Sequence, residues 1–153
     1  MLTLFSRAGL SIALLVPLSC AAFAQETAVA FGGLRTDPTL PVEATASTRS
    51  QPRAATALFS GNVVIVQGDM RLSAPEVRVI YATDDRSTIE AMEASGGVVL
   101  ASGDSAAEGA EAVYTVSSGT VVMTGDVVLT QGQSTMAGNK LTVKLDDGTG
   151  VME

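Results

Sequence analysis

A chain of 153 residues with no histidine, and with Cys20 as its only cysteine, leaves carboxylates as its main candidates for chemistry. Two neighbouring acids can divide the work of general acid and base in a hydrolase, provided they face each other across a cleft. Asp84-Asp85 and Asp146-Asp147 are the adjacent acid pairs. Each sits in a polar stretch of turn character, Asp84-Asp85-Arg86-Ser87 and Asp146-Asp147-Gly148, so both read as solvated turns. Without histidine, Ser-His-Asp and Cys-His nucleophilic sets and His-containing zinc sites are excluded. A lone cysteine forms no disulfide within the chain, and no G-x-x-x-x-G-K-[ST] phosphate loop occurs. The expectation is a non-enzymatic protein with no metal and no cofactor.

Charge narrows the partners. Nine Lys and Arg stand against sixteen Asp and Glu, a net charge of −7, so nucleic acid and anionic membrane surfaces find no basic footprint. Residues 1–24 have the order of a secretory leader: basic Arg7, an apolar run from Leu10 to Leu18, and Ala22-Phe23-Ala24 before Gln25. Cleavage after Ala24 is expected, which removes Cys20 and leaves the mature chain one charge more negative. A retained anchor would need about 18 apolar residues, and Pro17 and Ser19 interrupt the run. Lipid attachment at Cys20 is disfavoured by Pro17 three residues before it.

The elements that must carry any function are strands. Residues 25–40 read as linker, with Pro38 and Pro41 denying a helix, and Pro41–Ala46 alternates apolar and polar side chains as a first strand. From Phe59 onward one pattern, G-x-V-V-x-x-x-G, occurs three times, beginning at Gly61, Gly96 and Gly125. Thirteen residues after each start come Ala74, Gly109 and Gly138, and Asp146-Asp147-Gly148 opens a truncated fourth copy. Val and Ile dominate, Gly, Asp and Ser punctuate every 8 to 12 residues or so, and Gly68-Asp69 and Gly103-Asp104 look like strand reversals. The fold class is all-β and antiparallel, over residues 41–153.

Side chains alternate faces along a strand, so the apolar set should share one face. That set is Phe59, Val63, Ile65, Met70, Leu72, Val77 and Val79 in the first copy, and Met92, Val98, Leu100, Ala112 and Tyr114 in the second. The third contributes Val121, Met123, Val127, Leu129, Met136, Leu141 and Val143. Opposite them fall Asn62, Arg71, Glu76, Arg78, Glu93, Glu111, Asp126, Lys140, Thr142 and Lys144, the wet face, with Val64, Val99 and Val128 as apolar exceptions. The apolar face could pack on itself as a closed core. It could equally line an adaptable apolar groove, since four methionines and few aromatics give a flexible lining. The Pro41–Ala46 and Leu141–Leu145 strands are expected at opposite edges, available for strand addition.

Phe59-Ser60-Gly61-Asn62-Val63-Val64-Ile65-Val66-Gln67-Gly68, with Leu72-Ser73-Ala74 and Glu76-Val77-Arg78-Val79, resembles the opening of the OstA-like domain of the LptA family. Ala112-Val113-Tyr114, Gly119 to Val127 and Gly138-Asn139-Lys140-Leu141 extend the likeness over Pro41 to Met152. The resemblance implies an open, twisted antiparallel β-jellyroll and a periplasmic lipopolysaccharide carrier. It implies head-to-tail stacking with copies of itself and with LptC-like inner-membrane and LptD-like outer-membrane OstA domains. It also places acyl-chain contacts on Val42, Ala44 and Leu100. The competing reading is a structural β-repeat protein with a closed core and no lipid cargo.

Overall fold

The computed structural model describes residues 27–30, 34, 37, 40–50, 55–82 and 87–153, so the proposed leader and Asp84-Asp85 lie outside the described residues. Six long strands make the body: β4 (Thr56–Gln67), β5 (Met70–Tyr81), β6 (Ile89–Ser102), β7 (Ser105–Thr115), β8 (Thr120–Gln131) and β9 (Ser134–Lys144). Four short ones flank them: β1 (Thr27–Ala30), β2 (Glu43–Thr45), β3 (Thr48–Ser50) and β10 (Thr149–Met152). All belong to one antiparallel sheet in the order β1-β10-β9-β8-β7-β6-β5-β4-β2, with β3 also on β4. Gly68-Asp69 and Gly103-Asp104 are tight turns between long strands, as their sequence suggests, and Gly132-Gln133 is a third.

The repeated glycine is where each strand bends. Ladder pairing is interrupted between Ser60 and Val63, between Ser95 and Val98, and between Thr124 and Val127. In each gap two residues of the motif face one residue of the next strand, which is a β-bulge that kinks the strand. Gly61, Gly96 and Gly125 sit there at φ 81, 90 and 84. A Cβ on Gly125 would lie 2.6 Å from the Ala110 Cβ, so the corner requires glycine for both its φ and its close approach.

These aligned kinks fold the sheet into two arms with their inner faces together. Gln67, Met70, Ser102 and Ser105 form one row across four strands, and Tyr114 lies nine residues beyond Ser105 along β7. In a flat sheet Gln67 and Tyr114 would be about 33 Å apart, from ~3.3 Å per residue and ~4.8 Å per strand. Instead the Tyr114 hydroxyl donates to Gln67 Oε1 at 2.7 Å. With no helix among the described residues to cover it, the apolar face is buried against itself.

Three sequence expectations change. Leu141–Lys144 is not an edge but part of β9, held between β8 and β10, because the truncated fourth copy supplies one more strand. The region read as linker contributes β1, paired to β10, and Leu34, wholly buried in the core. Finally, strict alternation of buried residues survives in β4, β6 and β8 but shifts once in β5, β7 and β9. On β5 it passes from Ala74 to Val77, and on β7 the buried Ala107 and Ala112 are of opposite parity. The inward face changes parity there because the bulge adds a residue to one strand of each pair and not to the other.

Candidate functional site

The register sorts the apolar residues into rows running across the strands, perpendicular to the chain. In one arm Ala44, Ile65, Leu72, Leu100, Ala107, Leu129 and Met136 are successive directly opposed partners from β2 to β9. In the other arm one row is Phe59, Val77, Ala94, Ala112, Met123, Leu141 and Met152. Beside it runs Ala57, Val79, Met92, Tyr114, Val121 and Val143. Val63, Val98 and Val127 each stand at a bulge, one per repeat, and all are buried. The repeat causes this alignment: identical spacing places equivalent side chains at the same height on every second strand. The result is a continuous apolar strip about 29 Å long over six strand spacings.

Most of the residues expected on this face are brought together in one cluster, with Val42, Phe59 and Met136 half-buried against its margin. Ala44 is exposed, because it is the last member of its row and no strand among the described residues lies beyond β2. Leu100 is 0 % exposed, so the interior around it is filled by the protein's own side chains. Leu34 joins the same cluster from the N-terminal segment, and the sequence carried no periodic signal to reveal it.

Polar side chains mark the turn end of the first arm. Gln67, Ser102 and Ser105 are buried there, and Ser105 Oγ has no hydrogen-bond partner. Gln67 Nε2 donates to the Leu40 carbonyl at 3.0 Å while its Oε1 accepts from Tyr114. Burial raises the Tyr114 pKa above 10.0, and the bond to Gln67 offsets part of the shift.

On the outer face, Glu76, Arg78, Glu93 and Glu111 line a shallow cavity of about 290 Å³, and Arg78 Nη1 lies 3.2 Å from Glu93 Oε2. Asp146-Asp147 is a turn: Asp147 Oδ1 accepts from the Thr149 amide at 2.8 Å and its hydroxyl at 2.6 Å. No group of three or more acids that could hold a metal ion occurs among the described residues.

Comparison with known proteins follows the same geometry. The family described as LptA/(LptD N-terminal domain) LPS transport protein matches residues 42–149. An uncharacterized protein of Rhizobium meliloti (strain 1021) is 31 % identical over 150 residues, covering 92 % of this chain and 78 % of that one. Among solved structures, LptH of Pseudomonas aeruginosa aligns with a TM-score of 0.65 at 19 % identity, over 74 % of this chain and 82 % of its own. It is described as the LptA-homologous periplasmic component of the lipopolysaccharide transport device. At that identity the likeness shows a shared fold.

Proposed function

The chain belongs to the LptA and LptD N-terminal-domain family of lipopolysaccharide transport proteins, and from that premise we propose that it is a periplasmic bridge for lipopolysaccharide. Acyl chains lie between the two arms, along the apolar rows, while sugars and phosphates stay in water. The domain stacks head to tail with copies of itself and with OstA-like domains of the inner-membrane extraction complex and the outer-membrane translocon. The observation that carries this reading is the row from Ala44 to Met136, an apolar strip that crosses seven strands and ends exposed at the β2 edge.

The energetics suit passage rather than permanent capture. Each buried methylene contributes about 0.8 kcal/mol, so roughly ten of them in one acyl chain gain about 8 kcal/mol before ordering costs. The arms already bury their own side chains, so a lipid exchanges one set of apolar contacts for another and the net gain is smaller. Met70, Met92 and Met123, all inside, can repack around a moving chain at low cost. An acidic protein does not grip a polyanionic head group, so direction comes from elsewhere, namely an ATPase beyond the inner membrane.

Photocrosslinking in cells tests the cargo, with a photoreactive residue at buried Leu100 and another at exposed Glu111. A lipopolysaccharide adduct at Leu100 alone is expected. Absence of an adduct at either position, with the envelope partners present, contradicts the lipid reading and favours a closed core.

A further inference from the structure

The C-terminal edge of the sheet is occupied by the chain's own N-terminal strand. β1 pairs antiparallel with β10 in the register Thr27↔Met152, Ala28↔Val151, Val29↔Gly150 and Ala30↔Thr149. At the opposite edge β2 and β3 are three residues each, exposed throughout, and among the described residues pair only with β4. One edge is thus closed by the chain itself and the other is open.

Strand directions say what β1 stands in for. Every neighbouring pair from β4 to β10 is antiparallel, so β4, β6, β8 and β10 run one way. β2 is antiparallel to β4, and β1 is antiparallel to β10, so β1 and β2 run the same way. A second copy stacked in the same orientation brings its β2 to this β10 with the direction β1 already has. Added outside β1 instead, that β2 would lie parallel to it and break the alternation of the whole sheet. Thr27-Ala28-Val29-Ala30 is small or β-branched throughout, Val42-Glu43-Ala44-Thr45 departs from this at Glu43, and both are short and free of proline.

We propose that β1 is an intramolecular placeholder on β10, which the β2 of a second copy must displace when copies stack head to tail. This rests on the head-to-tail part of the function above and says which strand is exchanged. A seat filled from within the same chain lowers apparent affinity by the fraction of molecules in which it is vacant. The isolated protein is therefore held back from uncontrolled growth, since a heterologous contact of this kind does not close.

The register supplies the test. Ala28→Cys with Val151→Cys, in a background lacking Cys20, joins two directly opposed residues whose Cα separation in an antiparallel ladder of about 4.5–5.5 Å falls in the range a disulfide spans. Sedimentation velocity over a concentration series is run on the oxidised variant, on the same variant in reductant, and on a chain lacking residues 27–30. Expected are a monomer throughout for the oxidised form, wild-type association on reduction, and association at least about tenfold tighter for the truncated chain. The reduced form controls for folding. An oxidised form that associates like wild type overturns the proposal, as does a truncated chain no tighter than wild type. Lipopolysaccharide crosslinking at Leu100 reads the cargo separately, so loss of one result leaves the other standing.

Discussion

The six long strands and the four short ones obey different constraints. In β4 to β9 a bulge at mid-strand folds the sheet, inner side chains have partners along their own rows, and most are buried, with Phe59 and Met136 half-buried. In β1, β2, β3 and β10 there are only three or four residues per strand. Among the described residues β2 has no strand beyond it, and its side chains are exposed. The body is therefore committed to one arrangement by many simultaneous contacts, whereas the ends are held by a few ladder bonds each. Ends that can be exchanged at low cost suit a domain that stacks, and a body that cannot be is what keeps the apolar strip aligned.

The largest test of that contrast is Leu129→Ala, in the middle of an inner row and 1 % exposed. It should cost about 2–5 kcal/mol of stability, read as a fall in the urea midpoint. A cost under about 1 kcal/mol would mean that the arms are loosely packed and the body no more committed than the ends.

Tyr114→Phe is next. It keeps the ring and removes the hydroxyl that ties one arm to the other, leaving Gln67 Oε1 without that donor, for about 1–3 kcal/mol. It also has a pH signature. Because burial raises the Tyr114 pKa in the folded protein, the folded state holds this proton more tightly than the unfolded chain does. The associated stabilisation is complete below the unfolded value of 10.0 and is lost as pH rises through the folded pKa. Urea midpoints followed upward from about pH 8 should fall at the alkaline end for wild type, and fall less for the phenylalanine variant.

The smallest effect belongs to the edge. Lys140 Nζ and Glu153 Oε2 are 2.6 Å apart, both side chains partly exposed, beside β10. Glu153→Gln should change global stability by about 0–1 kcal/mol. Amide exchange in β10 should nevertheless quicken, because local opening of a four-residue strand near the sheet edge needs little energy. Equal slowing or quickening across β4 to β9 would show that the end is welded to the body after all.

Much of the body was legible in the sequence, and for a stated reason. A pattern repeated at Gly61, Gly96 and Gly125 is a strand with a corner, and three copies must stack with equivalent residues aligned. That is why Ile65, Leu100 and Leu129 could be assigned to one face before their rows were known. The ends were less legible. Thr27–Ala30 is four residues of small and β-branched type with no repeat to support it, and its strand exists only because β10 offers an unpaired edge. Leu34 is a single leucine among polar and glycine residues, and nothing local predicts its burial.

The sequence by itself determined an antiparallel β domain of repeated strands with one apolar face and no histidine-based catalytic set, because alternation, glycine placement and residue counts are local or periodic properties of the chain. Only the tertiary structure decided that the face closes on itself through the Tyr114 to Gln67 bond, and that the first strand caps the last. Those pairings join residues 47 positions apart in one case and the two ends of the described chain in the other. Their partners are fixed by how the whole sheet folds, which no local spacing encodes.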